Sequence, residues 1–275
     1  MSGTLVVGGS GFVGGEVVAA LERGSERVVA THHRQAVSHA PIAFDFWTDD
    51  LAPLLDDHDI ETVVFAATVE HGYDQPIEAF ERAAARVLDD CRDQRFIYVS
   101  SDSVFEGVDG RYAEDDDRRP TTEYGRRLVA FEDVVRRIHG DYCIVRPGYV
   151  FGFSRGELDP RLADTRERLQ ANVPIEYFDD MYKSPIAVSE LAAAIRTLAA
   201  DDYVGVVHAG GPRTSVYRFH CDGMQGLGIS PDSIVSTVIP SDMDVPPDLS
   251  LVAERLTDLT GIELSPVRDA IRSDK

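Results

Sequence analysis

The sequence predicts an α/β protein: a doubly wound parallel sheet with a small C-terminal annex. Three observations carry this reading. Short apolar runs alternate with helical stretches over residues 1–152; a glycine-rich loop joins the first run to the first helix; and after Gly152 the chain turns charged and loop-rich. Strand–helix alternation means a parallel sheet covered on both faces, and such sheets bind ligands beyond the carboxyl ends of their strands.

The strands are expected at residues 4–7, 27–31, 62–66, 95–99 and 142–146, and the helices between them near 12–23, 75–92 and 122–139. In the last helix Val129, Val134, Val135 and Ile138 recur at helical spacing. Residues 1–152 therefore read as a core unit and 153–275 mainly as a second lobe, with about 186–210 returning to the core. That return consists of a helix over 189–200, with Ser189 as its N-cap, and a strand over 204–208. Residues 229–248 carry Pro231, Pro240, Pro246 and Pro247 and are expected to be extended, before a closing helix over 249–259.

Composition narrows the function. An apolar share of 43% supports a packed core. With 48 acidic against 27 basic residues, the net charge of −21 argues against binding nucleic acid or an anionic membrane surface. There is no apolar run long enough to span a bilayer, and the apolar run at Thr4 has no basic segment before it, so a cytoplasmic protein is expected. Lysine occurs only at Lys183 and Lys275, and acid excess with so little lysine is the composition expected of a protein from a salt-loving organism. Cys91, Cys143 and Cys221 are widely spaced, suggest neither a disulfide framework nor a metal site, and read as reduced thiols. The acidic run 114–117 reads as a solvated loop, and no metal is expected.

Gly8, Gly11 and Gly14 follow the first strand and open the first helix, in the loop Gly8-Gly9-Ser10-Gly11-Phe12-Val13-Gly14. At this position the spacing points to a dinucleotide site in a Rossmann-type sheet. One glycine makes the tight turn, the next lets backbone approach a pyrophosphate, and the third lets helix and strand pack closely. The second strand ends in His32-His33-Arg34, without the carboxylate that would bind a ribose 2′-hydroxyl. His33 and Arg34 can instead meet a 2′-phosphate, which favours NADP, with NAD as the alternative. Asp45 and Phe46 are candidates to hold the adenine, and Ala66 and Ala67 to wall the cofactor.

The fourth expected strand runs into Ser100-Ser101-Asp102-Ser103-Val104-Phe105-Glu106-Gly107, followed by Tyr112 and Tyr124-Gly125-Arg126; Arg146-Pro147 ends the fifth. With Ser184-Pro185 and Pro247-Asp248-Leu249, these segments resemble the extended short-chain dehydrogenase/reductase family across the whole chain. Within that family they are most similar to the dTDP-4-dehydrorhamnose reductase branch. The resemblance implies hydride transfer to a keto group of a nucleotide-linked sugar. Ser101 would hold the carbonyl, Tyr124 would donate the proton and touch the cofactor, and Asp102 would assist or simply cap its turn. It implies Pro147 beside the cofactor, and Phe105, Arg146 and Lys183 beside the substrate, although the place of Arg146 at a strand end favours a local carboxylate as its partner. His71 and Tyr73 fall on a loop that could approach substrate, and His208 reads as a core residue.

Three positions depart from the pattern. The lysine expected one helical turn after the tyrosine, which depresses the phenol pKa, is replaced by Leu128. An asparagine is replaced by Ala83, and a C-terminal arginine by Val245-Pro246. Arg127, next to Leu128, could substitute for the lysine only by curling back around the helix. Leu128 thus leaves room for two alternatives to a reductase: a non-catalytic or regulatory NAD(P)-binding relative, and a nucleotide-sugar epimerase or dehydratase. The oligomeric state stays open, a homodimer included.

Overall fold

In the computed structural model, which describes residues 3–71 and 74–273, strands β1 (Gly3–Val7), β2 (Arg27–His32), β3 (Ile42–Ala43), β4 (Ile60–Phe65), β5 (Arg95–Val99) and β6 (Tyr142–Pro147) form most of the central sheet. Helices α1 (Phe12–Arg23), α2 (Ala52–His58), α3 (Ile77–Asp90) and α4 (Glu123–Ile138) connect them. The chain then leaves the sheet through β7 (Tyr149–Phe151), the hairpin β8 (Phe153–Ser154) and β9 (Glu157–Leu158), α5 (Pro160–Gln170), β10 (Ile175–Phe178), β11 (Tyr182–Lys183) and β12 (Pro185–Ala187). It returns through α6 (Val188–Ala199) and β13 (Gly205–Ala209), and closes with β14 (Thr214–Ser215), α7 (Val216–Gly226), β15 (Ile234–Thr237), α8 (Glu254–Thr260) and α9 (Val267–Ser273).

The central sheet is parallel, in the order β13-β6-β5-β4-β1-β2-β3. The order reverses between β1 and β4, which opens a crevice at their carboxyl ends. Side-chain alternation along the strands produces two cores. Leu5, Val63, Phe65, Phe96, Tyr98 and Ile144 pack under α3 and α4, while Val6, Val64, Ile97, Cys143, Val145 and Val207 pack under α1 and α6. A third core joins Leu162, Phe219, Met224 and Ile271 in the C-terminal lobe. Cys91, Cys143 and Cys221 are free and buried. Among the described residues no helix is long and apolar enough to cross a membrane.

Several local expectations are corrected. Ser189 does not cap α6; the cap position is Ala187, with no side-chain hydrogen bond, because the chain enters the helix directly from β12. Residues 249–252 are extended, held by Leu249 N–H to the Tyr182 carbonyl and Leu251 N–H to Ser184 Oγ, so the closing helix starts only at Glu254. The proline-rich stretch contains β15, paired in parallel with β10. Glu114 is buried, its carboxylate accepting from His208 N–H, while Asp115, Asp116 and Asp117 are exposed.

Candidate active site

The glycine loop lies over the crevice. Gly8 has φ +87°, and a Cβ there would lie 2.6 Å from the Ala67 Cα; a Cβ on Gly14 would lie 2.2 Å from the Gly8 carbonyl oxygen. Both glycines are therefore required by close packing. Gly11 differs: its added Cβ meets only the Gly8 oxygen, at 3.3 Å, so the outer side of the loop is open. Helix α1 begins there with no side chain capping its first N–H groups. Free donors at a helix N-terminus beside an open backbone fit a diphosphate, and the residues present thus suit a dinucleotide.

A cleft of about 310 Å³ runs from this loop. Of the expected cofactor residues, Gly8, Ser10, Gly11, His33, Arg34, Asp45, Phe46, Ala66 and Ala67 line it. Phe12, Val13, Gly14, Tyr124 and Pro147 do not; Val13 packs on the second core and Pro147 is buried at the end of β6. Phe46 is mostly a core residue, its ring 5.5 Å from that of Phe80. His33 Nε2 lies 3.7 Å from Asp45 Oδ2, whereas Arg34 is exposed and has no carboxylate partner among the described residues. Thr31, whose Oγ1 accepts from Gly8 N–H at 3.2 Å, and Trp47 also line the cleft.

Strand β5 ends in the turn Ser101-Asp102-Ser103. Ser101 Oγ donates to Asp102 Oδ1 at 3.0 Å and accepts from Ser103 N–H at 3.2 Å. Asp102 is buried, and burial raises its pKa, opposed first by the charge of Lys183, then by hydrogen bonds from Ser101 and Ser103 and by the charge of Arg161. Lys183 therefore sits within electrostatic reach of the turn. Helix α4 presses directly onto it: a Cβ on Gly125 would come within 2.2 Å of the Ser103 carbonyl oxygen. Thr122 caps this helix by accepting from Gly125 N–H at 3.0 Å. Tyr124, the neighbour of Gly125, is half-buried and stacks on His71 with ring centroids 4.7 Å apart and planes at 10°. His71 itself lines the cleft, which places Tyr124 between the cleft and the serine turn. Tyr73 lies outside the described residues.

Among the remaining residues, His208 is in the core as expected, whereas Arg127 and Phe105 are engaged in packing. Leu128 is buried in the first core. Arg127 does not curl back: its Nε donates to Glu123 at 3.2 Å, its Nη2 donates to the Gln75 carbonyl, and its guanidinium lies 5.4 Å from the Phe80 ring centroid. Those partners hold it on the α3 side of the helix. Arg146 takes the alternative given for it, pairing with a local carboxylate. Its Nε and Nη2 donate to Glu132 at 2.8 and 2.7 Å, with both side chains buried. Burial pushes the Glu132 carboxyl up, but Arg146, Ser100 and Arg118 together hold it below the usual range. Phe105 is engaged in packing, stacked on Tyr112 with ring centroids 4.3 Å apart and with the Arg146 guanidinium 5.3 Å from its ring centroid. His208 is a satisfied core residue, its Nδ1 within hydrogen-bond distance of the Tyr112 and Val252 carbonyls.

Sequence reasoning missed two groups near the turn. Arg161, 3.8 Å from the Tyr149 ring centroid, is the second cation acting on Asp102; its separation in sequence offered no signal. Glu70 and Tyr98 form a buried pair, with Tyr98 Oη donating to Glu70 Oε1 at 2.5 Å. A glutamate next to the cleft histidine was visible in the sequence, but its burial was not.

Comparison with known proteins agrees with this architecture. The family model described as RmlD substrate binding domain matches residues 1–273. The probable low-salt glycan biosynthesis reductase Agl14 of Haloferax volcanii is 28% identical over 221 residues, 74% of this chain and 72% of that one. A dTDP-4-dehydrorhamnose reductase from Bacillus anthracis, solved in complex with NADP, superposes with a TM-score of 0.84 at 16% identity, covering 100% of this chain and 98% of that one. MoeE5 in complex with UDP-glucuronic acid and NAD superposes with a TM-score of 0.81 at 21% identity, covering 98% and 96%. At these identities the structures support the fold.

Proposed function

The chain belongs to the family of the RmlD substrate binding domain, that of dTDP-4-dehydrorhamnose reductase, and from that premise we propose that it reduces a keto group on a nucleotide-linked sugar with NADPH as preferred donor. It is an NAD(P)H-dependent oxidoreductase of this type, and its cofactor is a nicotinamide dinucleotide. In this reading residues 1–152 chiefly hold the cofactor and 153–275 chiefly the sugar nucleotide. The observation that carries it is Tyr124, set against the Ser101–Asp102 turn and stacked on a residue of the glycine-loop cleft.

The nicotinamide supplies the hydride when bound. Ser101 Oγ, fixed by Asp102 and Ser103, holds the keto oxygen, and Tyr124 gives it the proton. Lys183 and Arg161, the cations that act on Asp102, favour an anionic ligand on the same side. Arg34 supports the preference for NADPH: it is exposed in the cleft and forms no ion pair among the described residues. The net charge of −21 and the near absence of lysine support work in the cytoplasm of a salt-accumulating cell, and a homodimer is compatible with the fold.

The test is NADPH oxidation in molar salt with a panel of 4-keto nucleotide sugars, on wild type and Tyr124→Phe. Turnover in wild type that falls by about 10²-fold or more in the variant supports the assignment. NADPH binding without turnover on any member of the panel overturns the reductase reading in favour of a non-catalytic binder.

A further inference from the structure

The loop between β2 and β3, residues 33–41, shares the cofactor cleft with the glycine loop: His33 and Arg34 line it together with Gly8, Ser10 and Gly11. Arg34, Gln35, Ala36 and Ser38 are exposed, so the core does little to fix that stretch. Three ties hold the loop. His33 Nε2 lies 3.7 Å from Asp45 Oδ2 at its start. Ala40 is buried at its end, and its carbonyl accepts from His32 Nδ1 at 2.9 Å. Just before Ala40, His39 Nε2 donates to the Gly9 carbonyl at 3.2 Å. A carbonyl only accepts, so each of these two rings carries its proton on the nitrogen named. Among the described residues no other hydrogen bond joins residues 33–41 to the glycine loop. The second lobe backs the same ring. Arg155, at the tip of the β8–β9 hairpin, donates from Nε to the Gly15 carbonyl at 3.1 Å. A Cβ on Gly15 would lie 3.6 Å from both His39 Nε2 and Arg155 Nε, so the two groups meet over a position with no side chain. Burial first, then the charge of Arg155, lower the His39 pKa against the pull of the Gly9 hydrogen bond.

Resting on the reading of Arg34 as the 2′-phosphate residue, we propose that His39 is a positioning residue that sets the preference for NADPH by latching the loop 33–41 to the glycine loop. Arg34 stands five residues before His39, on the exposed stretch. A guanidinium on an untied loop has to be ordered when a 2′-phosphate arrives. With the latch closed, that ordering is already complete in the free protein, and the contact is stronger for it. NADH carries a hydroxyl at the same place and gains no charge-assisted contact from Arg34, so the latch acts on NADPH and leaves NADH as it was.

The experiment titrates NADPH and NADH by fluorescence at fixed salt, with a melting curve for each protein. The proteins are wild type, His39→Ala, His39→Gln, His39→Asn, Arg34→Ala, and His39→Ala combined with Arg34→Ala. The net worth of one hydrogen bond corresponds to roughly three- to tenfold in affinity. His39→Ala should lose that factor for NADPH and keep the wild-type affinity for NADH. Glutamine carries an amide N–H near the place of Nε2 and should retain the preference. Asparagine is too short to reach Gly9 and should behave as alanine does; this pair decides the question if His39→Ala melts too early to titrate. In the Arg34→Ala background, His39→Ala should cause no further loss of NADPH affinity, because the latch acts through Arg34. Equal losses for both cofactors, an unchanged affinity ratio in His39→Ala, or additive losses in the double variant overturn the proposal. An unchanged ratio in Arg34→Ala alone overturns the 2′-phosphate reading and the proposal with it. No keto sugar enters the titration, so its outcome is separate from that of the reductase assay.

Discussion

Arg146→Met tests whether this arginine serves the substrate or the fold. The side chain of Arg146 is 1% exposed and that of Glu132 0%. Two charge-assisted hydrogen bonds join them, at 2.8 and 2.7 Å. Removing one partner of such a pair costs about 3–5 kcal/mol, because the remaining charge stays buried. Glu132 would keep Ser100 at 2.7 Å and Arg118 at 3.2 Å, which places the loss near the lower end, about 3 kcal/mol. Guanidinium unfolding at fixed salt should show it as a lower midpoint with the same slope. The pH dependence has a definite sign. In wild type the depressed Glu132 contributes stability that is present above its unfolded pKa and lost as pH falls through the folded one. In the variant, burial without Arg146 raises the carboxyl, so the deficit should be largest at neutral pH and shrink as acid neutralises Glu132. Glu132→Leu added to Arg146→Met should recover part of the loss. Full stability in Arg146→Met, together with weaker sugar-nucleotide binding, would refute this argument and return Arg146 to the substrate.

Three further outcomes follow from the cleft and the core. Gly11→Val puts a branched side chain on the open face of the loop and should abolish NADPH binding, measured by fluorescence, with melting unchanged; equal affinity would remove the phosphate cradle. Arg34→Ala should weaken NADPH far more than NADH, by roughly 1.5–3 kcal/mol for one charge-assisted contact, and an unchanged affinity ratio would count against a 2′-phosphate role. Leu128→Lys places an ammonium in the first core and should lower stability by several kcal/mol without raising kcat; unchanged melting with a gain in turnover would mean that the ammonium reaches Tyr124 after all.

The central sheet was legible because its strands are continuous buried runs, such as Gly3–Val7, framed by a glycine loop and amphipathic helices. The glycine spacing was legible for a related reason: Gly8 and Gly14 satisfy local steric demands that hold wherever this loop folds. Residues 249–259 were misread because Leu249 and Leu251 suit a helix face or an extended strand equally well. What decides is the hydrogen bonding of 249–252 to residues far away, at Tyr182, Ser184 and Tyr112. Ser189 was misread for the converse reason, since a good capping residue does nothing when the helix starts before it.

The site was legible where chemistry is tied to a short segment and obscure where long polar side chains choose among partners. Ser101, Asp102 and Tyr124 occupy neighbouring elements because one turn and one helix N-terminus, joined through Gly125, are enough to specify their positions. Arginine is different: its reach spans several possible acceptors, and helical geometry settles only its direction of departure. Arg127 left α4 on the side of Gln75 and Phe80, and Arg146 found Glu132 on the same helix. Once both guanidinium groups are committed there, neither can replace the lysine missing at 128. The loop after β4 meets the same region, with Glu70 buried beside Tyr98 and His71 lying on the phenol ring of Tyr124.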